Sequence, residues 1–168
     1  MNSVTVLCAG IIALGIGGGG SQSRGEYACE LVPNIIKYAE ENNLRPELVI
    51  AVIHVESRFN PSAKSHAGAC GLLQVLPRFT GRSTWGRKYA CRELKDPETA
   101  IRVGTHLLNF WVNRYGKGNE KIGTCGYNSG FRCRGEAWKY NRKGRSYAIK
   151  STRLANRLSE FVKNYRYD

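Results

Sequence analysis

A chain of 168 residues with 42% apolar side chains is long enough to bury one real hydrophobic core, and its composition excludes disorder. Its 26 Lys and Arg against 13 Asp and Glu give a net charge of +13. Such a field steers polyanions towards the surface, but it does not choose among nucleic acid, an anionic membrane and an anionic wall polymer. The excess is concentrated late: from Phe131 onward there are 11 basic and 3 acidic residues, a net of +8.

Residues 1–23 carry no charged side chain, and "VTVLCAGIIALGIGGGG" within them is a weakly apolar run rich in Gly and Ala. It is short and glycine-laden for a membrane span of about 20 strongly apolar residues. It has the length of a signal-peptide core, although it lacks the basic n-region. The clean break in charge sets an expected boundary. Residues 1–23 read as an export signal or a weak membrane anchor acting through residues 4–17, with any cleavage near Gly19 to Ser23. Residues 24–168 read as one folded domain. The competing reading makes the first segment a buried helix or strand of that domain. Cys8 has too short an apolar lead-in for a lipid-modified cysteine.

Helix follows helix from there. "EYACELVPNIIKYAEENN" has apolar residues at helical spacing, with Pro33 either bending it or starting a new segment. "RPELVIAVIHVES" places Pro46 in the first turn. A polar loop, "RFNPSAKSHAGAC", leads to the short apolar "GLLQVLP", and residues 78–95 read as a basic surface loop. "DPETAIRVGTHLLNFWVNRYG" has Asp96 as N-cap, Pro97 in the first turn, Ile101, Leu107, Leu108 and Trp111 facing inward, and Gly116 as the stop. "KIGTCGYNSG" begins a helix and then turns. "SYAIKSTRLANRLSEFVKNYR" is a last, basic amphipathic helix. No strand pattern or internal repeat is present, so the expected fold class is mostly α.

Beyond the first segment there are five cysteines: Cys29, Cys70, Cys91, Cys125 and Cys133. In an exported chain some of them pair. Cys125 with Cys133 would staple the loop between them, and Cys70 with Cys91 would tie the ends of the basic loop; the odd count leaves one over. No His stands at zinc-like spacing and no C-x-x-C occurs, so neither metal nor cofactor is expected.

The chemistry starts at Glu56. Ile53, Val52 and Val49 lie three, four and seven residues before it, which places the carboxyl on an apolar helix face. Desolvation there raises a carboxyl pKa, and a general acid needs that to hold its proton near neutral pH. The alternative is a structural Glu, solvated at the helix end or paired with Arg58. Downstream, Ser65 and Gln74 offer hydrogen bonds in a Gly-rich setting where backbone can approach a ligand closely. "CGYNSG" adds Tyr127 and Asn128, a phenol and an amide suited to hydroxyl or acetamido groups. After Glu56 the next acids are Glu93, Asp96 and Glu98, the last two explained by helix capping.

In order and spacing, "ESRFNPSAKSHAGACGLLQVLP", "DPETAIRVGTHLL" and "GYNSG" resemble the lytic transglycosylase family, whose lysozyme-like fold is shared with goose-type lysozyme. The resemblance runs from about Pro46 to Gly130. It implies a lysozyme-like domain with a glycan cleft, Glu56 as the catalytic acid, and Ser65, Gln74, Tyr127 and Asn128 lining the cleft. Two departures stand out. Many relatives end with Glu-Thr-x-x-Tyr, whose tyrosine enters the active site; here "KSTRLANR" puts Ser151 and Ala155 at those places. Tyr147 is the available substitute and is not counted among the expected site residues. Cys70 stands inside the Gly-Ala-x-Gly motif, so a disulfide there would lie close to the cleft.

Ordinary glycosidases use two carboxyl groups. The resemblance implies a mechanism that needs one. Glu56 protonates the leaving oxygen, the substrate's 2-acetamido group stabilises the oxocarbenium-like centre, and Glu56 then deprotonates the 6-hydroxyl that closes a 1,6-anhydro ring. The expected function is therefore a peptidoglycan lytic transglycosylase cutting the β-1,4 bond between N-acetylmuramic acid and N-acetylglucosamine, in phage lysis or entry or in local wall opening. The alternatives are a hydrolytic goose-type lysozyme and, more remotely, a basic nucleic-acid or membrane-surface binder. The expected partners are peptidoglycan glycan strands, with anionic membrane or wall polymers on the basic C-terminal region; nucleic acid is not expected and the protein is expected to be a monomer. The expected location is the periplasm or cell envelope, or the virion of a phage.

Overall fold

The computed structural model describes residues 2–18, 22–81 and 83–165. Six helices carry the fold: α1 (Ser3–Ala13), α2 (Gln22–Glu41), α3 (Pro46–Ser57), α4 (Pro97–Asn109), α5 (Glu120–Ser129) and α6 (Arg142–Tyr165). Short 3-10 turns at Pro77–Phe79, Glu93–Lys95, Gly130–Cys133 and Gly135–Lys139 fill the connections. The described residues form no strand, only isolated bridges such as Lys64 with Cys70 and Cys70 with Val75. The expected mostly α architecture is what the chain adopts.

Local chemistry sets several boundaries as expected. The Asp96 carboxylate accepts from the Thr99 N–H at 2.9 Å and Pro97 occupies the first turn of α4. Asn119 caps α5 in the same way, accepting from the N–H groups of Lys121 and Ile122. Glu98, in contrast, does not cap; it accepts from the Tyr38 hydroxyl at 2.8 Å. Helix α2 runs through Pro33 without ending there. After Asn109 the chain widens into a π-helical turn, Phe110–Tyr115, before Gly116 ends it.

Helix α3 is the centre of the core. Leu48 to Ile53 are all fully buried, so the apolar run that reads as a stripe is covered on every side. Helices α2 and α6 pack directly on it. At its start the Arg45 guanidinium makes two bonds to the Glu120 carboxylate, 2.7 and 2.6 Å, and reaches Ser159 and Asn156 on α6. Residues 78–81 and 83–95 pack more closely than a surface loop: Tyr89 and Leu94 enter the core, and the Thr84 hydroxyl is buried on the Gly81 and Arg87 backbone.

The first segment also takes part in the core. Helix α1 packs on α2 and α6, with Val6, Leu7 and Ile11 buried. Cys8 is bonded to Cys29, so the cysteine that the odd count left over has a partner in α1. Cys70–Cys91 and Cys125–Cys133 are the other two bridges. The Gly17 N–H donates to His54 Nδ1 at 2.9 Å, an arrangement that requires a neutral imidazole, and burial lowers the His54 pKa. The window Gly19 to Ser23 lies outside the described residues, apart from the backbone of Gln22 and Ser23. Among the described residues no helix is long and apolar enough to cross a membrane.

Ile11 is fully buried among core side chains. Ile11→Ala should therefore cost about 2–5 kcal/mol and lower Tm by roughly 5–15 °C. Thermal unfolding followed by circular dichroism checks this; an unchanged Tm would mean that α1 is not part of the folded core.

Candidate active site

Glu56 occupies the last turn of α3, half-buried, where the helix stops abruptly. Arg58 and Phe59 both have left-handed backbones, with φ of 51° and 60°, and the Arg58 N–H returns to the His54 carbonyl. Two consecutive non-glycine residues in that region are strained, and full burial of the Phe59 ring offsets the strain. Ser57 then fastens the helix end to the glycine loop, its hydroxyl donating to the Leu72 carbonyl at 2.8 Å.

Burial raises the Glu56 carboxyl to about 7 against an ordinary 4.5. Two groups oppose the rise without cancelling it. The Tyr147 hydroxyl donates to Glu56 Oε1 at 2.7 Å, and the Lys143 ammonium acts through space. With Oε1 accepting from the phenol, Oε2 is left to carry the acid proton. The Tyr147 phenol is itself raised by burial and by the Glu56 charge, and so is that of Tyr127. Both phenols therefore stay protonated donors. Glu56 makes no ion pair with Arg58; the ion pairs among the described residues are Arg45–Glu120, Arg87–Glu93 and Lys139–Glu136.

Those pairs also account for the acids that could have joined Glu56. Glu93 is held by Arg87 and the Ala90 N–H, Glu120 by Arg45 at the opposite end of α3, and Glu136 by Lys139. Among the described residues no cluster of three or more His, Cys, Asp or Glu side chains converges as a metal site, and every cysteine is in a disulfide. A surface cavity of about 540 Å³ lies between the start of α3 and the outer half of α6. In its wall Arg45 bonds to Asn156 and Ser159, far along α3 from Glu56.

The other expected site residues sit on the two pieces that flank Glu56. The Tyr127 hydroxyl donates to the Leu73 carbonyl at 2.8 Å, tying α5 to the glycine loop. The Gln74 amide donates to the carbonyls of Gly71 and Ala63, at 2.9 and 3.2 Å. This fixes the amide's orientation, since a flipped oxygen would face two carbonyls, and leaves its own oxygen without a partner among the described residues. Gln74 adopts a φ of 48°, and Gly71 a φ of 76° with no room for a side chain: a Cβ there would come within 1.8 Å of the Leu94 carbonyl. Ser65 accepts from the Ala69 N–H at 3.0 Å, closing the loop that begins the motif. The Asn128 oxygen accepts from the Ser129 hydroxyl, and its amide hydrogens have no partner among the described residues. The glycine loop is pinned from outside by Cys70–Cys91.

The "Transglycosylase SLT domain" family matches residues 33–150 of the chain. The chain belongs to that family. Membrane-bound lytic murein transglycosylase C of Actinobacillus pleuropneumoniae serotype 5b is 43% identical over 96 residues, which cover 54% of this chain and 26% of the relative. The protein of the same name from Haemophilus influenzae strain PittEE is 34% identical over 93 residues, 52% of this chain and 26% of the relative. The chain thus spans about a quarter of the length of the curated relatives that it matches. Among solved structures, lytic transglycosylase Slt of Pseudomonas aeruginosa aligns over 78% of this chain and 24% of its own, with a TM-score of 0.69 and 22% identity. The 70 kDa soluble lytic transglycosylase of Escherichia coli aligns over 86% of this chain and 26% of its own, with a TM-score of 0.58 and 23% identity. The fold is therefore the lysozyme-like SLT fold.

Within this SLT domain two contributors lie outside the expected site set. Ser57 stands in the quoted motif without a role. Tyr147 enters the sequence reading only as a substitute, because the family pattern points to Ala155, which is buried and has no polar group. The signal for Tyr147 is its register: with Ala148, Ser151, Ala155, Leu158 and Val162 it forms the buried stripe of α6. The hydroxyl of Ser151 bonds back to the Tyr147 carbonyl, within the helix.

Because the Tyr147 bond lowers the Glu56 pKa, Tyr147→Phe should move the alkaline limb of any Glu56-dependent activity to higher pH. It should also reduce the maximal rate by roughly tenfold, the order expected for a lost hydrogen bond to a carboxylate. A pH–rate profile of the variant reads both; an unshifted limb would contradict the direct contact.

Proposed function

We propose that this domain is a peptidoglycan lytic transglycosylase that cuts the β-1,4 bond between N-acetylmuramic acid and N-acetylglucosamine and leaves a 1,6-anhydro end. The observation that carries the reading is a single carboxyl, Glu56, raised to about 7 by burial, with no other carboxylate among the groups that act on it. The names of the curated relatives, lytic murein transglycosylases, support the substrate class.

Glu56 holds its proton at neutral pH and delivers it to the glycosidic oxygen as the C–O bond breaks. Positive charge develops at the anomeric carbon, and the 2-acetamido oxygen of the substrate stabilises it. Glu56, now a carboxylate, takes the proton of the 6-hydroxyl, whose oxygen bonds to the anomeric carbon. The proton lost in the first step is regained in the second, so the carboxyl ends as it began and no water is consumed. Tyr147 keeps Oε1 engaged throughout and holds Oε2 towards the bond. An inverting hydrolase would need a second carboxyl to activate water, and a retaining one a second carboxyl as nucleophile.

Export to an oxidising compartment, the envelope, is part of the proposal, and three disulfides support it. The docked α1 supports a first segment that is retained in the fold. The basic face of α6, where Lys150, Arg153 and Arg157 are exposed beside Lys121 of α5, suits an anionic wall polymer.

Digestion of purified peptidoglycan followed by mass spectrometry tests the reaction. The expected products are lighter than hydrolytic ones by one water, and reducing muramic acid ends would instead assign a goose-type hydrolysis. Glu56→Gln should lower the rate by about 10²–10⁴-fold. It should also raise Tm more at pH 8 than at pH 5. The sign follows from linkage: a folded-state pKa above the unfolded one makes stability fall as pH rises from 4.5 to about 7, a loss the amide does not suffer.

A further inference from the structure

The residue that follows "GYNSG" is Phe131, and it stands 69% exposed. A single exposed apolar side chain is ordinary, but this ring is held in place. It lies 5.1 Å from the Trp111 ring and 5.4 Å from Tyr115, which are themselves 5.0 Å apart. The Tyr115 hydroxyl donates to the Phe131 carbonyl at 3.1 Å, and the Cys125–Cys133 bridge closes the segment. Two rings of the cluster are half-buried and one is presented to solvent.

The cluster adjoins the Glu56 site on two sides. The Trp111 indole lies against Gly126, one residue before Tyr127, where a Cβ would come within 2.4 Å of it. On the other side, a Cβ at Gly144 would meet the sulfurs of Cys125 and Cys133 and the Ser129 hydroxyl, all within 3.0 Å. Gly144 follows Lys143, whose ammonium acts on Glu56, and precedes Tyr147, which bonds it. Phe131 is flanked by Arg132 and Arg134, both exposed and without an ion pair among the described residues.

A ring held by two aromatic neighbours and largely open to solvent fits the apolar C–H face of a pyranose. Peptidoglycan strands also carry carboxylates on their muramic acid substituents, which match unpaired guanidinium groups. We infer that Phe131, positioned by Trp111 and Tyr115, is a stacking platform for a sugar ring of the glycan strand beyond the cleaved bond, with Arg132 and Arg134 taking the strand's carboxylates. Insertion into a bilayer is less suited to the cluster, because it offers one exposed ring and two that are half-buried.

The inference rests on the peptidoglycan reading, and its test separates the two. In a Glu56→Gln background, N-acetylglucosamine trimer and hexamer are titrated calorimetrically into the protein with Phe131 intact, Phe131→Ala and Phe131→Trp. The expected result is a loss of hexamer affinity of roughly five- to tenfold in the Ala variant. The trimer should be little affected, and the Trp variant should recover the hexamer. Equal hexamer affinity in all three proteins would overturn the platform. So would a Phe131→Ala variant that loses binding to phosphatidylglycerol vesicles while keeping the hexamer. In parallel, the wild type is assayed on purified peptidoglycan: no cleavage together with no hexamer binding would remove both readings. Cleavage with an unchanged KM in Phe131→Ala would remove the platform alone.

Discussion

The contact between the Glu56 carboxyl and the Tyr147 hydroxyl, 2.7 Å, joins the central helix to the last one at the point where an acid leaves the core. Its energetics are a contest of two effects. Burial disfavours the carboxylate, while the phenol and the Lys143 ammonium favour it, and burial wins. Had the opposing groups been stronger, the group would be a carboxylate at neutral pH with no proton to give. A more solvated carboxyl would have the same failing. The useful state lies between these limits, and it is set by α3 being buried on every side up to Ile53 and then ending within a turn.

The rest of the structure keeps that end of α3 in place. Ser57 and Tyr127 fasten the glycine loop to α3 and α5 through neighbouring carbonyls, those of Leu72 and Leu73. Gln74 spends its amide hydrogens inside the loop and keeps its oxygen free, so a residue that reads as a ligand is also a strut. Each disulfide closes a different border: Cys70–Cys91 behind the glycine loop, Cys125–Cys133 beneath Phe131, and Cys8–Cys29 between α1 and α2. Negative charge is kept apart from the acid, since Glu93, Glu120 and Glu136 are each neutralised by a partner elsewhere.

Much of this was legible because it is local. The Asp96 cap, the amphipathic α6 and the apolar run into Glu56 follow from spacing and capping chemistry, and the family motifs name the pieces that pack beside Glu56. What could not be read was tertiary. An uncharged Gly- and Ala-rich segment has the same composition whether it leads the chain across a membrane or packs against α2 and α6. Its contacts, the bridge to Cys29 and the bond to His54 among them, are made with residues elsewhere in the chain. Tyr147 is legible only as a substitute, because its role depends on where α6 crosses α3, and a motif shifted along that helix presents a different residue. The covering of α3 on all sides was likewise invisible, since its run of apolar residues fits a stripe and a fully buried helix equally well.

The account stands on Glu56 being a neutral acid near pH 7. A carbon-13 NMR titration of the Glu56 side-chain carboxyl, assigned by comparison with Glu56→Gln, measures this directly. A midpoint near 7 is the predicted result. A midpoint at the ordinary 4.5 would leave a carboxylate at neutral pH and would contradict it.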